Sequence, residues 1–149
     1  MFDRTIALIG QDNLDKIESK HILIIGVGGV GGYAIEALIR SGIHNITLVD
    51  YDNIDISNIN RQIIAKESNV GKLKVEAWKE RINEINSSVL VNTLPLKIDE
   101  NNIDILFKSS YDYIIDACDT VIVKKLLIKK CHEKNIKLIT VCGMGKKLN

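Results

Sequence analysis

Apolar and polar positions change their period along the chain, and the changes mark out its elements. Residues 21–26 and 45–50 are short, nearly continuous apolar runs, the pattern of strands buried on both faces. Between them Val30, Tyr33, Ala34, Ala37 and Leu38 recur at i, i+3, i+4, i+7 and i+8, which predicts a helix over 30–41 with those side chains as its buried face. Residues 51–62 are rich in Asn and Asp and read as loop and turn, with a short helix near 61–66. Gly71 to Lys74 opens a longer helix to about Ile85, with Val75, Trp78, Ile82 and Ile85 as its stripe. A strand over 88–94 ends at Pro95, and Asp99 is a suitable cap for a short helix reaching Phe107. Then come a strand over 112–116 running on through Asp119, a helix over 120–133, and a last strand over 137–141 before Gly143-Met144-Gly145. Residues 1–20 form an entry segment with a short helix from Asp12.

Strands therefore alternate with helices. The pattern predicts an α/β fold with a doubly wound, mostly parallel sheet, right-handed crossovers and Rossmann-like nucleotide-binding topology over 21–149.

The turn after the first strand reads Gly26-Val27-Gly28-Gly29-Val30-Gly31, and an acidic residue, Asp50, ends the second strand 24 positions after Gly26. Gly26 lets the chain turn off the strand, Gly28 lets a phosphate approach the backbone, and Gly31 lets the helix pack closely on the sheet. The helix N-terminus behind the turn favours an anion. Placed between two apolar strands, as the motif requires, this is a nucleotide site.

Composition narrows the setting. A chain of 149 residues, 46% hydrophobic, suggests one domain with a sizeable core. The start of the chain has no signal-peptide pattern, and no apolar run approaches membrane-spanning length. Cys118, Cys131 and Cys142 are odd in number and lack CxxC spacing, so they read as reduced core thiols of a cytoplasmic protein. His21, His44 and His132 show no metal-ligand spacing. The net charge of +1 hides an asymmetry: residues 120–149 hold 8 Lys and one Glu, net +7, and the remainder is net −6. Lys124, Lys125, Lys129 and Lys130 share one predicted helix opposite Val123, Leu126, Leu127 and Cys131. They read as a solvated helix face, with a patch for an anionic partner such as RNA as the alternative.

In doubly wound sheets the ligand lies at the carboxyl ends of the strands. Gly28, Asp50, Asp52 and Asp119 all follow strand ends, and Asn58, Arg61 and Lys74 can fold back over the same crevice. That set exceeds the needs of a dinucleotide and fits a triphosphate with a metal ion, whose cations stabilise charge on the phosphate oxygens. Singly, each residue has a structural use. Asp119 can cap the next helix, Lys74 and Arg61 can be surface cations, Arg4 lies near a terminus, and Cys118 and Cys131 suit the core.

As an ordered set, the motifs resemble a known superfamily. Gly26 to Gly31, Leu48-Val49-Asp50-Tyr51-Asp52, Asn58-Ile59-Asn60-Arg61-Gln62, Val70-Gly71-Lys72-Leu73-Lys74 and Ile115-Asp116-Ala117-Cys118-Asp119 are similar to ThiF/MoeB/HesA proteins, relatives of the ubiquitin-activating enzymes. The match runs from Arg4 to about Gly145. Within the superfamily the chain most resembles the branch that dehydrates threonylcarbamoyladenosine on tRNA, where Ser or Thr tends to follow the matching Asp, as Thr120 follows Asp119. The sulfur-carrier adenylyltransferases tend to have Asn there.

The resemblance implies ATP and Mg²⁺. By motif, Gly26, Gly28, Gly29 and Gly31 would hold the nucleotide with Asp52 and Asn58, Asp50 would bind its ribose, Arg61 and Lys74 would contact phosphates, and Asp119 would hold Mg²⁺. Arg4 matches an arginine that such enzymes donate across a homodimer into the neighbour's site. The shared reaction is adenylation of a carboxylate. The substrate would be the threonyl carboxylate of the modified tRNA adenosine, activated so that the neighbouring ureido group closes a ring. In the other branch it is the C-terminal glycine of a ubiquitin-like sulfur-carrier protein. An NAD-dependent oxidoreductase and a non-catalytic nucleotide-binding or dimerisation module remain as readings of other classes. Gly32 stands where Ser is common, and Met1 where another Arg often precedes Arg4. Family members usually continue past Gly145, in some cases to a zinc-binding CxxC pair, so this chain reads as C-terminally short. Nucleotide binding is expected to survive that better than turnover.

Overall fold

The computed structural model describes residues 1–142; Gly143-Met144-Gly145 and the lysines after it lie outside the described residues. Two helices, α1 (Asp3–Ile9) and α2 (Gln11–Glu18), come first. They lead into β1 (His21–Ile25), α3 (Gly29–Arg40), β2 (Asn45–Val49), α4 (Lys74–Ile85), β3 (Leu90–Leu94), β4 (Tyr113–Asp116), α5 (Val121–Glu133) and β5 (Lys137–Thr140). The five strands form one sheet in the order β3-β2-β1-β4-β5, and every pairing is parallel. The order reverses between β1 and β4, so the crevice at their carboxyl ends is the topological switch point.

Alternation along each strand builds two cores. Ile22 and Ile24 of β1 face α3 and α4 with Ile35, Ile39, Ile46, Leu48, Trp78 and Ile82. Leu23 and Ile25 face the other way, against Ile103, Leu106, Val123, Leu127 and Cys131. A strand covered on both sides has no polar face to show, which is why β1 reads as a continuous apolar run.

Several local expectations are corrected. The buried face of α3 is Gly31, Gly32, Ile35 and Ile39, whereas Val30 and Tyr33 are 51% and 59% exposed and Ala37 is also exposed. Glycines carry no hydropathy signal, yet their bare backbone packs closest and turns that side of the helix inward. A Cβ on Gly32 would lie 3.0 Å from the Trp78 ring. The helix expected from Gly71 begins only at Lys74, because residues 71–73 bridge back to 52–54: Gly71 N–H donates to Ile54 O, and Lys74 N–H to Asp52 O. No helix forms over 61–66; 3-10 turns occupy Ile56–Asn58 and Glu67–Asn69 instead. Asp99 does not cap a helix directly. Its carboxylate accepts from the N–H groups of Asn101 and Asn102, and a 3-10 helix follows at Ile103–Lys108. Strand β4 stops at Asp116, and the first twenty residues hold two helices rather than one.

Candidate functional site

Strand β1 ends in a turn that is clamped from three sides. Gly26 has φ +83°, and a Cβ there would lie 2.8 Å from the Ala117 carbonyl in the loop after β4. Its N–H donates to Val49 O, and Ala117 N–H donates to Ile25 O. Val27 N–H donates to Asp50 Oδ2 at 2.9 Å, while Trp78 Nε1–H donates to Val27 O at 3.0 Å. Asp52 N–H donates to the other Asp50 oxygen at 2.9 Å. The Asp50 carboxylate thus braces the glycine turn and its own loop, with lone pairs left over for a ligand's hydroxyl groups.

Gly28 stands at the N-terminus of α3, where no side chain caps the first N–H groups. Those donors and the positive end of the helix face the crevice, a place for an anion. Gly31 is a packing glycine, as its place in the motif predicts, and it does not line the crevice, where the resemblance would put it. A Cβ on it would lie 1.8 Å from Gly26 O, so its task is to let helix and turn touch.

The crevice is a cleft of about 370 Å³ at the carboxyl edge of the sheet, a size that holds a small ligand. Of the sequence-predicted residues, Gly26, Gly28, Gly29, Asp50, Asp52, Asn58, Arg61, Lys74 and Asp119 all line it. Lys74 is only 5% exposed, and its Nζ donates to Asp52 Oδ2 at 2.8 Å. It is no surface lysine: the bridge between 71–73 and 52–54 carries it to the cleft wall. Arg61 is exposed and held from behind, its Nη1 donating to Ser57 O at 2.7 Å and Asn60 Oδ1 at 2.9 Å. Asn58 is buried, and its Oδ1 accepts from Asp55 N–H, which fixes the loop that carries Arg61. Asp119 projects from the loop between β4 and α5 and is exposed.

Arg4 is not brought to this cleft within one chain. It lines a separate cavity with Phe2, Ile39, Arg40 and Ile85 at the C-terminal ends of α3 and α4. Both helices begin at the cleft and run 12 residues, so the two places lie roughly 18 Å apart along the helices.

The cleft wall also includes Gln62, for which the sequence suggests no role, and Cys118, expected in the core. Gln62 is buried and lines the cleft, and its Oε1 has no hydrogen-bond partner among the described residues. Its place directly after Arg61 was the only signal. Cys118 also lines the cleft, yet burial, and then the Asp116 carboxylate beside it, push its thiol up to about 11, so it stays a neutral thiol and not a nucleophile. Lys125 and Lys129 are exposed, as a solvated helix face requires, and Lys124 departs from that reading. It lies against the fully buried Asp116, with Nζ 3.0 Å from Oδ2. Lys129 and Lys130 pair with Glu133 and Asp104.

Bare glycine turn, helix N-terminus, acidic residue beside the turn, two cations and an exposed carboxylate converge on one edge. The sequence model of the ThiF family matches residues 2–147. The chain belongs to the ThiF family. Its curated ThiF-family relatives include tRNA threonylcarbamoyladenosine dehydratase of Haemophilus influenzae, 43% identical over 138 residues, covering 93% of this chain and 53% of that protein. The Bacillus subtilis protein of the same name is 41% identical and covers 98% of this chain and 58% of its own length. The crystal structure of E. coli tRNA N6-threonylcarbamoyladenosine dehydratase in complex with ATP superimposes with a TM-score of 0.94 at 39% identity, over 99% of this chain and 61% of that one. The chain spans about half the length of the curated relatives it matches.

The cleft suits a nucleoside triphosphate on its own chemistry: cations, free N–H groups, the Asp50 carboxylate and the apolar Val49, Leu96 and Ile98 all border it. Among the described residues no group of three or more His, Cys, Asp and Glu is placed to hold a metal ion unaided. A Mg²⁺ ion takes one or two carboxylates and completes its shell with phosphate oxygens and water; the exposed Asp119 is a carboxylate at the cleft that could serve as one such ligand. No helix among the described residues is long and apolar enough to cross a membrane.

Proposed function

We propose that this chain binds ATP·Mg²⁺ and adenylates a carboxylate, the threonylcarbamoyl group of a tRNA adenosine, as the first step of a cyclising dehydration. The observation that carries the reading is the convergence of Gly28, Asp50, Arg61, Lys74 and Asp119 on one cleft, in a chain 40–43% identical to three bacterial dehydratases of that name.

The residues divide the work. Gly28, Gly29 and the N-terminus of α3 cradle phosphate oxygens, and Asp50 accepts from the ribose hydroxyls. Lys74 and Arg61 hold the phosphates and disperse the negative charge that develops as the substrate carboxylate attacks the α-phosphorus and pyrophosphate leaves. Asp119, exposed at the cleft, holds Mg²⁺, which supplies further charge neutralisation when bound. The activated acyl group is then attacked by the neighbouring ureido group, which closes the ring and releases AMP. A tRNA substrate puts the protein in the cytoplasm.

The same reading makes the protein a homodimer that exchanges Arg4. Support comes from the place of Arg4, away from its own cleft, and from the apolar side chains exposed on α3 and on the segment after β2: Val30, Tyr33 and, at 60%, Ile56. A second copy that covers them would bring its Arg4 to the phosphates.

One observation favours a second substrate. A yeast adenylyltransferase and sulfurtransferase, UBA4 of Vanderwaltozyma polyspora, is 37% identical over 130 residues. For such a protein the carboxylate would be the terminal glycine of a ubiquitin-like sulfur carrier.

Pyrophosphate exchange measured separately with tRNA and with a sulfur-carrier protein tests both. Exchange dependent on tRNA is expected; exchange with the carrier alone overturns the choice of substrate. A rise in melting temperature with ATP·Mg²⁺ is expected too, and a rise with NAD in its place would make the protein a nicotinamide enzyme. ATP binding without any exchange would make it a non-catalytic module.

A further inference from the structure

Behind the cleft lies a buried ion pair that neither binds nucleotide nor fills the core as an apolar side chain would. Asp116, the last residue of β4, is 0% exposed. One of its oxygens accepts from Cys118 N–H at 3.2 Å, and the other accepts from Lys124 Nζ at 3.0 Å. The Lys124 ammonium, on the first turn of α5, also donates to Val141 O at 2.8 Å, just past the end of β5. Val141 N–H in turn donates to Asp116 O at 2.9 Å.

A single ammonium–carboxylate pair thus ties together the ends of β4 and β5 and the start of α5. The loop over 117–120 spans the middle of that knot, and it carries Asp119 into the cleft while its Ala117 backbone packs against Gly26. A cation at a helix N-terminus is unfavourable against the macrodipole, and burying an ion pair gains little stability over apolar side chains. What the pair does supply is direction and fixed distance. A loop held at both shoulders keeps its carboxylate aimed in one direction, and a metal ion needs that more than a nucleotide does. Mg²⁺ demands near-ideal octahedral geometry, so small errors in ligand placement lower its affinity.

Resting on the nucleotide reading above, we infer that Asp116 and Lys124 are positioning residues that set the Asp119 loop for Mg²⁺. Losing the pair weakens metal capture at the cleft while leaving metal-free nucleotide binding in place.

The test is equilibrium binding of the fluorescent analogue mant-ATP to the full chain, first in EDTA and then along a Mg²⁺ titration. The double variant Asp116→Asn/Lys124→Met removes both charges together, so no unpaired ion is left buried. It is expected to bind mant-ATP in EDTA within twofold of wild type and to need about tenfold more Mg²⁺ to reach half-saturation. An unchanged Mg²⁺ midpoint in the double variant, with a wild-type response that Asp119→Asn abolishes, overturns this inference alone. Wild-type protein that binds no mant-ATP overturns the nucleotide reading and the inference with it. Should the double variant not fold, Lys124→Gln, which keeps a donor beside Asp116, carries the same test. A midpoint shift of about threefold or more is then expected, and an unchanged midpoint is again the refuting result.

Discussion

Replacing Gly31 with alanine puts a methyl group where the backbone leaves no room. The added carbon would lie 1.8 Å from Gly26 O and 2.9 Å from Gly26 C, and real Cβ atoms essentially never come within 3.0 Å of a neighbour. Either α3 or the glycine turn must therefore retreat by about 1.2 Å, and neither moves freely. The turn is held by Asp50 and Trp78, and α3 is held by Ile35 and Ile39, both essentially buried. Overpacking of this kind typically costs about 1–3 kcal/mol, and a clash between two backbones belongs at the top of that range or above it. Alanine's helix preference over glycine returns about 1 kcal/mol. A net loss of about 2 kcal/mol or more is expected, and about 2 kcal/mol lowers the urea midpoint by roughly 0.7–2 M at the usual slope for a small protein. Urea denaturation followed by circular dichroism measures it. Gly71→Ala is the control, since Gly71 has φ +87° but nothing within 4 Å of a Cβ; it should cost only the left-handed conformation, about 1–2 kcal/mol. A Gly31→Ala protein as stable as wild type, or more so, would mean that helix preference wins and that the turn and α3 are not in close contact.

Three further outcomes follow from the cleft and its surroundings. Lys74→Met removes a cation from the cleft wall but fits an apolar side chain into a nearly closed space, so mant-ATP affinity should fall at least about tenfold with little change in melting temperature; unchanged affinity would take Lys74 out of phosphate binding. Arg4→Ala and Arg61→Ala should each lose pyrophosphate exchange, and mixing the two inactive proteins should restore about a quarter of wild-type sites if two-fold dimers exchange Arg4; no recovery after subunit exchange would refute an arginine shared in trans. Cys118 should resist iodoacetamide at pH 8 while the exposed Cys142 reacts, as read by peptide mass spectrometry, because the Cys118 thiol is pushed up to about 11. A pKa raised by folding leaves stability intact below the ordinary thiol value of 9.0 and removes it as pH climbs from there through about 11. Equal labelling at pH 8 would show that Cys118 is not buried.

The parallel sheet was legible because its signal is local and repeated. Strands covered on both faces need unbroken apolar runs, and a phosphate-sized gap before a helix needs glycines at set positions, so β1, β2 and the turn between them stand out in the chain itself. The cleft residues were legible as a set, since in this topology residues after strand ends share one edge. What misled was every feature whose cause lies in another part of the chain. The inner face of α3 is set by Gly31 and Gly32 meeting the turn and Trp78, contacts that hydropathy does not register. Lys124 looked like one of several solvated lysines, and only the fold places Asp116 under it.

The residue types and their order along the chain determine by themselves an α/β sheet with an anion-binding turn and a stock of carboxylates and cations at its ends. Periodicity and spacing act over a few residues, and they suffice for that. Only the tertiary structure decides which polar groups share a space. It brings Lys74 beside Asp52, commits Asp50 to bracing the turn, withdraws Gly31 from the cleft, and leaves Arg4 at the far end of α3 and α4. Each of these depends on contacts between segments far apart in the chain, whose distances come from how helices and sheet pack and not from the local sequence.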